Sequence, residues 1–285
     1  MALCLRREGK DVLVYSQDPV PALYAFLPGS EQIRNEIPPG AAFDASILLD
    51  CGSPKRVGKA FEAFPGKGRL VVIDHHPAAE PVDGLAWVQT EAAATGEILL
   101  GLITALGAGP SPAMATALYM ALMTDTGSFR FSNTTARTLA AASELLAAGA
   151  DHGLLVDRIY ERFPPERFQL LGLALRTLAF HHDGRVGTMR VTRAMYRATG
   201  AREEDTEGFV DIPRSVAGVE VAALIRQVGP REFRVNLRSR GRLDVGRLAA
   251  RFDGGGHPNA AGCTMRGGAA SVQEVLLAAL GEALQ

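Results

Sequence analysis

Arg69-Leu70-Val71-Val72-Ile73-Asp74-His75-His76 decides the fold of this chain. Leu70 to Ile73 form an unbroken apolar run that ends on an acid and two imidazoles. A run without a polar face reads as a strand buried on both sides, as in parallel sheets. Upstream, Ser46-Ile47-Leu48-Leu49-Asp50 has the same build and also ends in Asp. Between the two, Lys55 to Phe64 reads as a helix. Strand, helix, strand is the pattern of an α/β domain with a parallel sheet. Ligands of such sheets gather beyond the carboxyl ends of the strands. Asp50, Asp74, His75 and His76 all fall there.

Working outward, Ala2 to Glu8 reads as a helix stopped by Gly9, and Asp11 to Ser16 as a strand. Prolines 19, 21, 28, 38 and 39 mark loops. Ala92 to Leu106 reads as a helix. So does the stretch from Pro112 to about Met123, with Ser111 as its cap. A loop over Asp125 to Asn133 leads to a helix over Thr134 to Ala148, with Ser132 and Asn133 as its capping residues. Helices near Leu154 to Arg162 and Glu166 to Leu178 flank Pro164-Pro165. Beyond them the texture changes to hairpins. Leu178 to His182 and Arg185 to Thr192 flank Asp183-Gly184, and Val219 to Gln227 and Glu232 to Leu237 flank Gly229-Pro230. Helices near Val245 to Phe252 and Ser271 to Ala283 follow. The expected division is residues 1–163 as a parallel-sheet α/β domain, 164–178 as a connector helix, and 179–285 as a smaller α+β domain.

Composition narrows the class. The 285 residues are 47% hydrophobic and 21% charged, enough apolar content to exclude a largely disordered chain. No apolar stretch has the length of a membrane span, and no secretory signal pattern opens the chain. The three cysteines, Cys4, Cys51 and Cys263, form no CxxC pair and fit reduced thiols in the cytoplasm. Net charge is −1, but it is unevenly spread. Residues 1–175 carry 14 Lys+Arg against 19 Asp+Glu, and residues 176–285 carry 16 Arg against 12 Asp+Glu. An acidic half suits metal ions and a basic half suits phosphates; a solvated surface of biased composition reads equally well.

Four elements carry chemistry. Asp50 ends one strand, as a ligand or as a cap of the next helix. Asp74-His75-His76 ends another and offers mixed oxygen and nitrogen donors suited to Mn²⁺ or Mg²⁺. Asp125 opens Asp125-Thr126-Gly127-Ser128, otherwise an ordinary turn. Gly254-Gly255-Gly256-His257 lacks side chains at three positions, so its backbone could approach an anion, with His257 adding a charge-assisted bond. Arg238, at a strand end, has the planar fork that suits a phosphate. Most of the other arginines between Arg231 and Arg251 read as surface charges. The pair His181-His182 beside a turn reads as exposed and inert.

Asp50, Asp-His-His, Asp-Thr-Gly and Gly-Gly-Gly-His, in this order, resemble the DHH phosphoesterase superfamily with its DHH-associated C-terminal domain, over essentially the whole chain. Ile73-Asp-His-His-Pro77, Asp125-Thr-Gly-Ser-Phe-Arg-Phe-Ser-Asn-Thr134 and Glu207-Gly-Phe-Val-Asp-Ile-Pro-Arg-Ser-Val216 look most like its oligoribonuclease (nanoRNase) and 3′-phosphoadenosine 5′-phosphate (PAP) phosphatase branch. The resemblance implies two metal ions, usually Mn²⁺ with Mg²⁺ as the alternative. Asp50 would bridge them, and His75 and Asp125 would be further ligands. Asp74 would orient the cluster and His76 would stand near the scissile phosphate. Gly255, Gly256, His257 and Arg238 would bind substrate.

Family members begin with a strand and a His-x-x-Pro-Asp-x-Asp loop that supplies further ligands. The chain as given has no such motif, and the expectation is a start placed upstream. The implied function is hydrolysis of nanoRNA, pApA or pGpG from an end, or of PAP, in the cytoplasm. No membrane partner is implied, and a homodimer is compatible with the sequence. The few aromatic residues beside the arginine cluster argue against a long single-strand platform. The alternatives are a RecJ-like single-strand exonuclease and a catalytically impaired nucleotide-binding protein.

Overall fold

The apolar run that ends in Asp74 is the middle strand of a parallel sheet. The computed structural model describes residues 1–285 apart from 77–81, 108, 241–242 and 285. Pro77 and Arg242 of the stretches quoted above lie outside the described residues. The chain divides into two compact units, Met1–Arg162 and Phe163–Gln285.

In the first unit the strands are β1 (Val14–Tyr15), β2 (Ile33–Arg34), β3 (Ala45–Leu49), β4 (Arg69–Asp74) and β5 (Gly84–Val88). The helices are α1 (Ala2–Arg7), α2 (Pro54–Val57), α3 (Lys59–Ala63), α4 (Thr95–Ala105), α5 (Pro112–Asp125), α6 (Ala136–Ala147) and α7 (His152–Tyr160). Strands β3, β4 and β5 pair parallel in that order. The strand expected over residues 11–16 shrinks to the two residues of β1, which pair with β2. Strand β5 was not expected: Leu85 to Val88 is a short apolar run, and the structure leaves its Leu85 60% exposed. The single helix expected over residues 55–64 is broken at Gly58, whose φ of +114° favours glycine; a Cβ there would lie 1.9 Å from Gln17 Oε1.

Helices α4 and α5 supply most of the first core. Ile98, Ile103, Leu118, Leu122 and Leu145 are buried together with Ile73 of β4. Ser111 accepts from Met114 N–H and caps α5, with Pro112 in the first turn. This packing fixes the two ends that matter for the site, the carboxyl end of β4 and the last turn of α5.

The second unit has α8 (Pro165–Leu175), β6 (Ala179–His181), β7 (Val186–Val191), α9 (Arg193–Thr199), α10 (Asp211–Ser215), β8 (Val221–Gly229), β9 (Glu232–Ser239), α11 (Val245–Ala250), β10 (Gly255–His257), β11 (Ala260–Arg266) and α12 (Ala269–Ala283). Its sheet runs β10-β11-β9-β8-β7-β6, antiparallel except for β7 and β8. Phe233, Val235 and Leu237 of β9 join one core with Val245, Leu276 and Leu280. Met189, Ala222 and Leu224 join another with Leu170 and Ala174 of α8. The helix expected as a connector is thus part of the second unit's core, because two of its side chains are fully buried there.

Two quoted stretches take structural places. Residues 207–216 include Phe209, buried in the second unit with the Arg167 guanidinium 5.0 Å from its ring centre, so this stretch holds the fold together. His182 is exposed, but His181 is half-buried, with Nε2 3.0 Å from Thr188 Oγ1.

Candidate metal centre and nucleotide-binding elements

Asp50 follows β3 directly. Its N–H donates to Ile73 O at 3.1 Å, continuing the ladder with β4. Its φ of +57° lies in the left-handed region, which Asp tolerates better than most residues. The side chain is half exposed, and Oδ1 accepts from Thr95 Oγ1 at 2.7 Å.

Asp74 ends β4 and is fully buried. Its Oδ1 accepts from His75 N–H at 2.7 Å, from His76 N–H at 3.1 Å and from the His76 ring at Nδ1 at 2.6 Å. Burial pushes the Asp74 carboxyl up, but the bonds from His76 and His75 outweigh it and hold the group below the usual carboxylate range. Asp74 Oδ2 is buried without a hydrogen-bond partner among the described residues.

His75 is buried, with Nδ1 3.1 Å from Ala92 O. A carbonyl can only accept, so Nδ1 carries the proton and Nε2 presents a lone pair or a second proton. That Nε2 lies 3.5 Å from Asp50 Oδ1 and 3.7 Å from Asp125 Oδ2. Asp125 is the last residue of α5. Burial first, and the Asp50 carboxylate second, raise its carboxyl to about 6, with His75 and His76 pulling the other way. The chain therefore sets two carboxylates and an imidazole around one point at a cost in electrostatic repulsion. A divalent cation would relieve that repulsion. One ligand atom each from Asp50, Asp74, His75 and His76 lies within 4.8 Å of the others. Hard oxygen donors with imidazole fit Mn²⁺ or Mg²⁺.

Two further residues hold this cluster in place, Thr95 outside the quoted motifs and Asn133 at the end of the Asp125 motif. Thr95 donates to Asp50. Asn133 Nδ2 donates to Asp125 O at 3.0 Å and to Ala93 O at 3.2 Å. The segment from Ala92 to Thr95 thus touches His75, Asn133 and Asp50. The run Ala92-Ala93-Ala94-Thr95-Gly96 was the available signal, since its small residues permit close approach. Asn133 was expected to cap α6, but Thr135 does so, accepting from Thr138 N–H, and this leaves Asn133 facing the Asp125 turn. That turn winds through three left-handed residues, Gly127, Ser128 and Phe129. A Cβ on Gly127 would lie 2.3 Å from the Phe131 ring.

In the second unit, Arg238 is half-buried on β9, with Nη1 donating to Leu237 O at 3.1 Å. Gly255, Gly256 and His257 were expected to approach an anion through the backbone and the imidazole. They form edge strand β10, paired with Ala260 to Gly262. The glycines at 254 and 256 are required by the hairpin itself. A Cβ would lie 2.3 Å from Gly262 O in one case and 2.4 Å from Ala260 O in the other. Gly255 faces open space. His257 is half-buried. Cys263 is buried, and burial pushes its thiol up to about 11, so it is a packing residue. Among the described residues, no single helix is long and apolar enough to cross a membrane.

Residues 189–285 match the model of the DHHA1 domain. The bifunctional oligoribonuclease and PAP phosphatase NrnA of Thermus thermophilus is 37% identical over 268 residues, covering 92% of this chain and 77% of its own. The protein of the same description from Bacillus subtilis is 27% identical over 87% of this chain and 77% of its own. Among solved structures, an exopolyphosphatase-related protein from Bacteroides fragilis superposes with a TM-score of 0.86 at 27% identity, covering 98% of this chain and 85% of that one.

Proposed function

Since the chain belongs to the DHH superfamily, as an NrnA-like protein, we propose that it is a metal-dependent hydrolase of short oligoribonucleotides and of PAP. The observation that carries this reading is the meeting of Asp50, His75 and Asp125 beyond the ends of β3 and β4, with Asp74 and His76 locked beside them. Asp50, His75 and Asp125 would hold the cation, Mn²⁺ in the first instance. When bound, the cation supplies neutralisation of the phosphoryl oxygens and a more acidic water.

The chain's own residues do the rest. Asp50 is held through Oδ1 by Thr95, which fixes the direction of its carboxylate. Ala92 O selects the His75 tautomer. Asp74 engages His76 at Nδ1, so His76 exchanges a proton with the substrate at Nε2. No side chain is required as a covalent nucleophile. Residues 1–163 carry hydrolysis and residues 179–285 carry substrate recognition. Arg238 and His257 take a phosphate by charge-assisted bonds, and the backbone at Gly255 and Gly256 approaches it closely. The resulting nucleic-acid binding, a cytoplasmic location and a homodimer complete the reading.

The test is release of 5′-AMP from pApA and of phosphate from PAP in Mn²⁺, with Asp50→Asn as the control. Turnover of either substrate that vanishes in the variant is the expected result. Turnover of neither by the wild type would overturn the reading.

A further inference from the structure

Behind the metal centre lies a buried carboxylate that the chemistry above does not use. Glu97 stands in the first turn of α4, and its side chain is 3% exposed. Burying a charged group is costly unless it is paired and hydrogen-bonded. Glu97 is both. Its Oε2 accepts from Ala93 N–H at 3.1 Å and from Thr138 Oγ1 at 3.3 Å. Its Oε1 forms an ion pair with Arg137 Nε. Arg137 is exposed, and its Nη2 donates to Gln89 Oε1 at 3.0 Å.

Helix capping alone does not account for this arrangement. A Glu at the third position of a helix commonly reaches back to the N–H of the cap residue. The cap of α4 is Ala94, and Glu97 reaches one residue further, to Ala93. That N–H belongs to the same peptide plane as Ala92 O, which faces His75 Nδ1 at 3.1 Å. A planar peptide with its N–H held has its C=O direction held too. A charge-assisted bond at the N–H also polarises the C=O into a better acceptor. Neighbouring groups of the same segment meet the other site residues. Thr95 donates to Asp50, and Ala93 O accepts from Asn133, which also bonds Asp125 O. Gln89 N–H donates to Asp74 O at 3.0 Å.

We propose that Glu97 is a positioning residue for the metal centre. Its carboxylate, paired with Arg137, fixes the Ala92–Ala93 peptide and through it the orientation and tautomer of His75. Glu97 touches none of the ligands and acts only through the segment from Gln89 to Thr95. The proposal rests on the metal-dependent reading of the site.

The test compares Glu97→Ala with Glu97→Gln, which keeps an acceptor for Ala93 N–H. Long-range proton–nitrogen NMR of the metal-free protein, with the ring neutral, reads the His75 tautomer, and calorimetry reads Mn²⁺ binding. Glu97→Ala should convert a single Nδ1–H form of His75 into a mixture and weaken Mn²⁺ affinity by roughly 10–100-fold. Glu97→Gln should keep the single form and recover most of the affinity. A residue that only caps α4 would lower the Tm and move neither readout. An unchanged His75 spectrum or an unchanged Mn²⁺ affinity in Glu97→Ala, or a Glu97→Gln as impaired as Glu97→Ala, would overturn the proposal. Should Glu97→Ala not fold, Arg137→Met, a change at an exposed side chain, takes its place. A loss of about threefold in affinity is then expected, and no loss overturns the proposal. If the wild type hydrolyses nothing yet Glu97→Ala moves both readouts, the positioning role stands and the hydrolase reading falls. If the wild type turns over pApA and neither readout moves, the reverse holds.

Discussion

The two units hold their charges in opposite ways. In the first, Asp74 is wholly buried and bonded three times, and His75 is buried with its tautomer set by a carbonyl. In the second, Arg234 and Arg266 are exposed and loosely paired, and two of three glycines serve the hairpin's own packing. A centre that must stabilise a reacting phosphoryl group gains from dipoles fixed in advance. A surface that accepts different nucleotides gains from side chains that can exchange partners. Charge in the first unit is thus a fixed feature of the fold, and in the second an adjustable one.

Changes in the first unit should therefore be severe and specific. Asp50→Asn should lower pApA turnover by about a thousandfold or more, in the range seen when a principal electrostatic group is removed, with circular dichroism unchanged. Retained turnover would remove Asp50 from the centre. Asn133→Ala should weaken Mn²⁺ affinity by roughly 10–100-fold, the usual scale for an outer partner of a ligand. Calorimetric titration would read this, and an unchanged affinity would reduce Asn133 to a loop residue.

In the second unit, His257→Ala should raise the KM for pApA by about tenfold, as for loss of one charge-assisted bond, and leave Mn²⁺ affinity unchanged. Equal loss of both would erase the distinction between the units. The smallest effect concerns pH. The metal-free folded state holds the Asp125 proton up to about 6, whereas an unfolded chain releases it near 4. The folded state binds more protons in that window, so the Asp125 contribution to stability falls as pH rises from about 4 to 6. Chemical unfolding without metal should show wild type losing stability relative to Asp125→Asn over that window. A difference that stays flat would contradict the buried, repelled carboxyl.

Much of this was legible from residue order. Leu70 to Asp74 could be read because an apolar run without a polar face has one good use in an α/β domain. Asp50, His75 and Asp125 were singled out through the resemblance, and each stands at or just beyond the end of an element. Strand β5 did not stand out, since Leu85 to Val88 is a run of only four apolar residues. Gly58 broke a helix that looked continuous, because its backbone at φ +114° and ψ 161° is not helical. Thr95 was hidden, and Asn133 was read only as a cap, because their roles consist of hydrogen bonds across 45 and 40 residues of sequence. Arg234 read as a surface charge because only strand register places it beside Arg226 and Arg266 around one cavity.

The central claim is that Asp50, His75 and Asp125 form a cation site on which hydrolysis depends. Its most direct test is pApA turnover after chelation, followed by Mn²⁺ titration, with calorimetric Mn²⁺ binding measured on the same wild-type and His75→Ala samples. The account predicts no turnover in chelator, recovery with Mn²⁺, and loss of both binding and turnover in the variant. Turnover that survives chelation, or full Mn²⁺ affinity in His75→Ala, would contradict it.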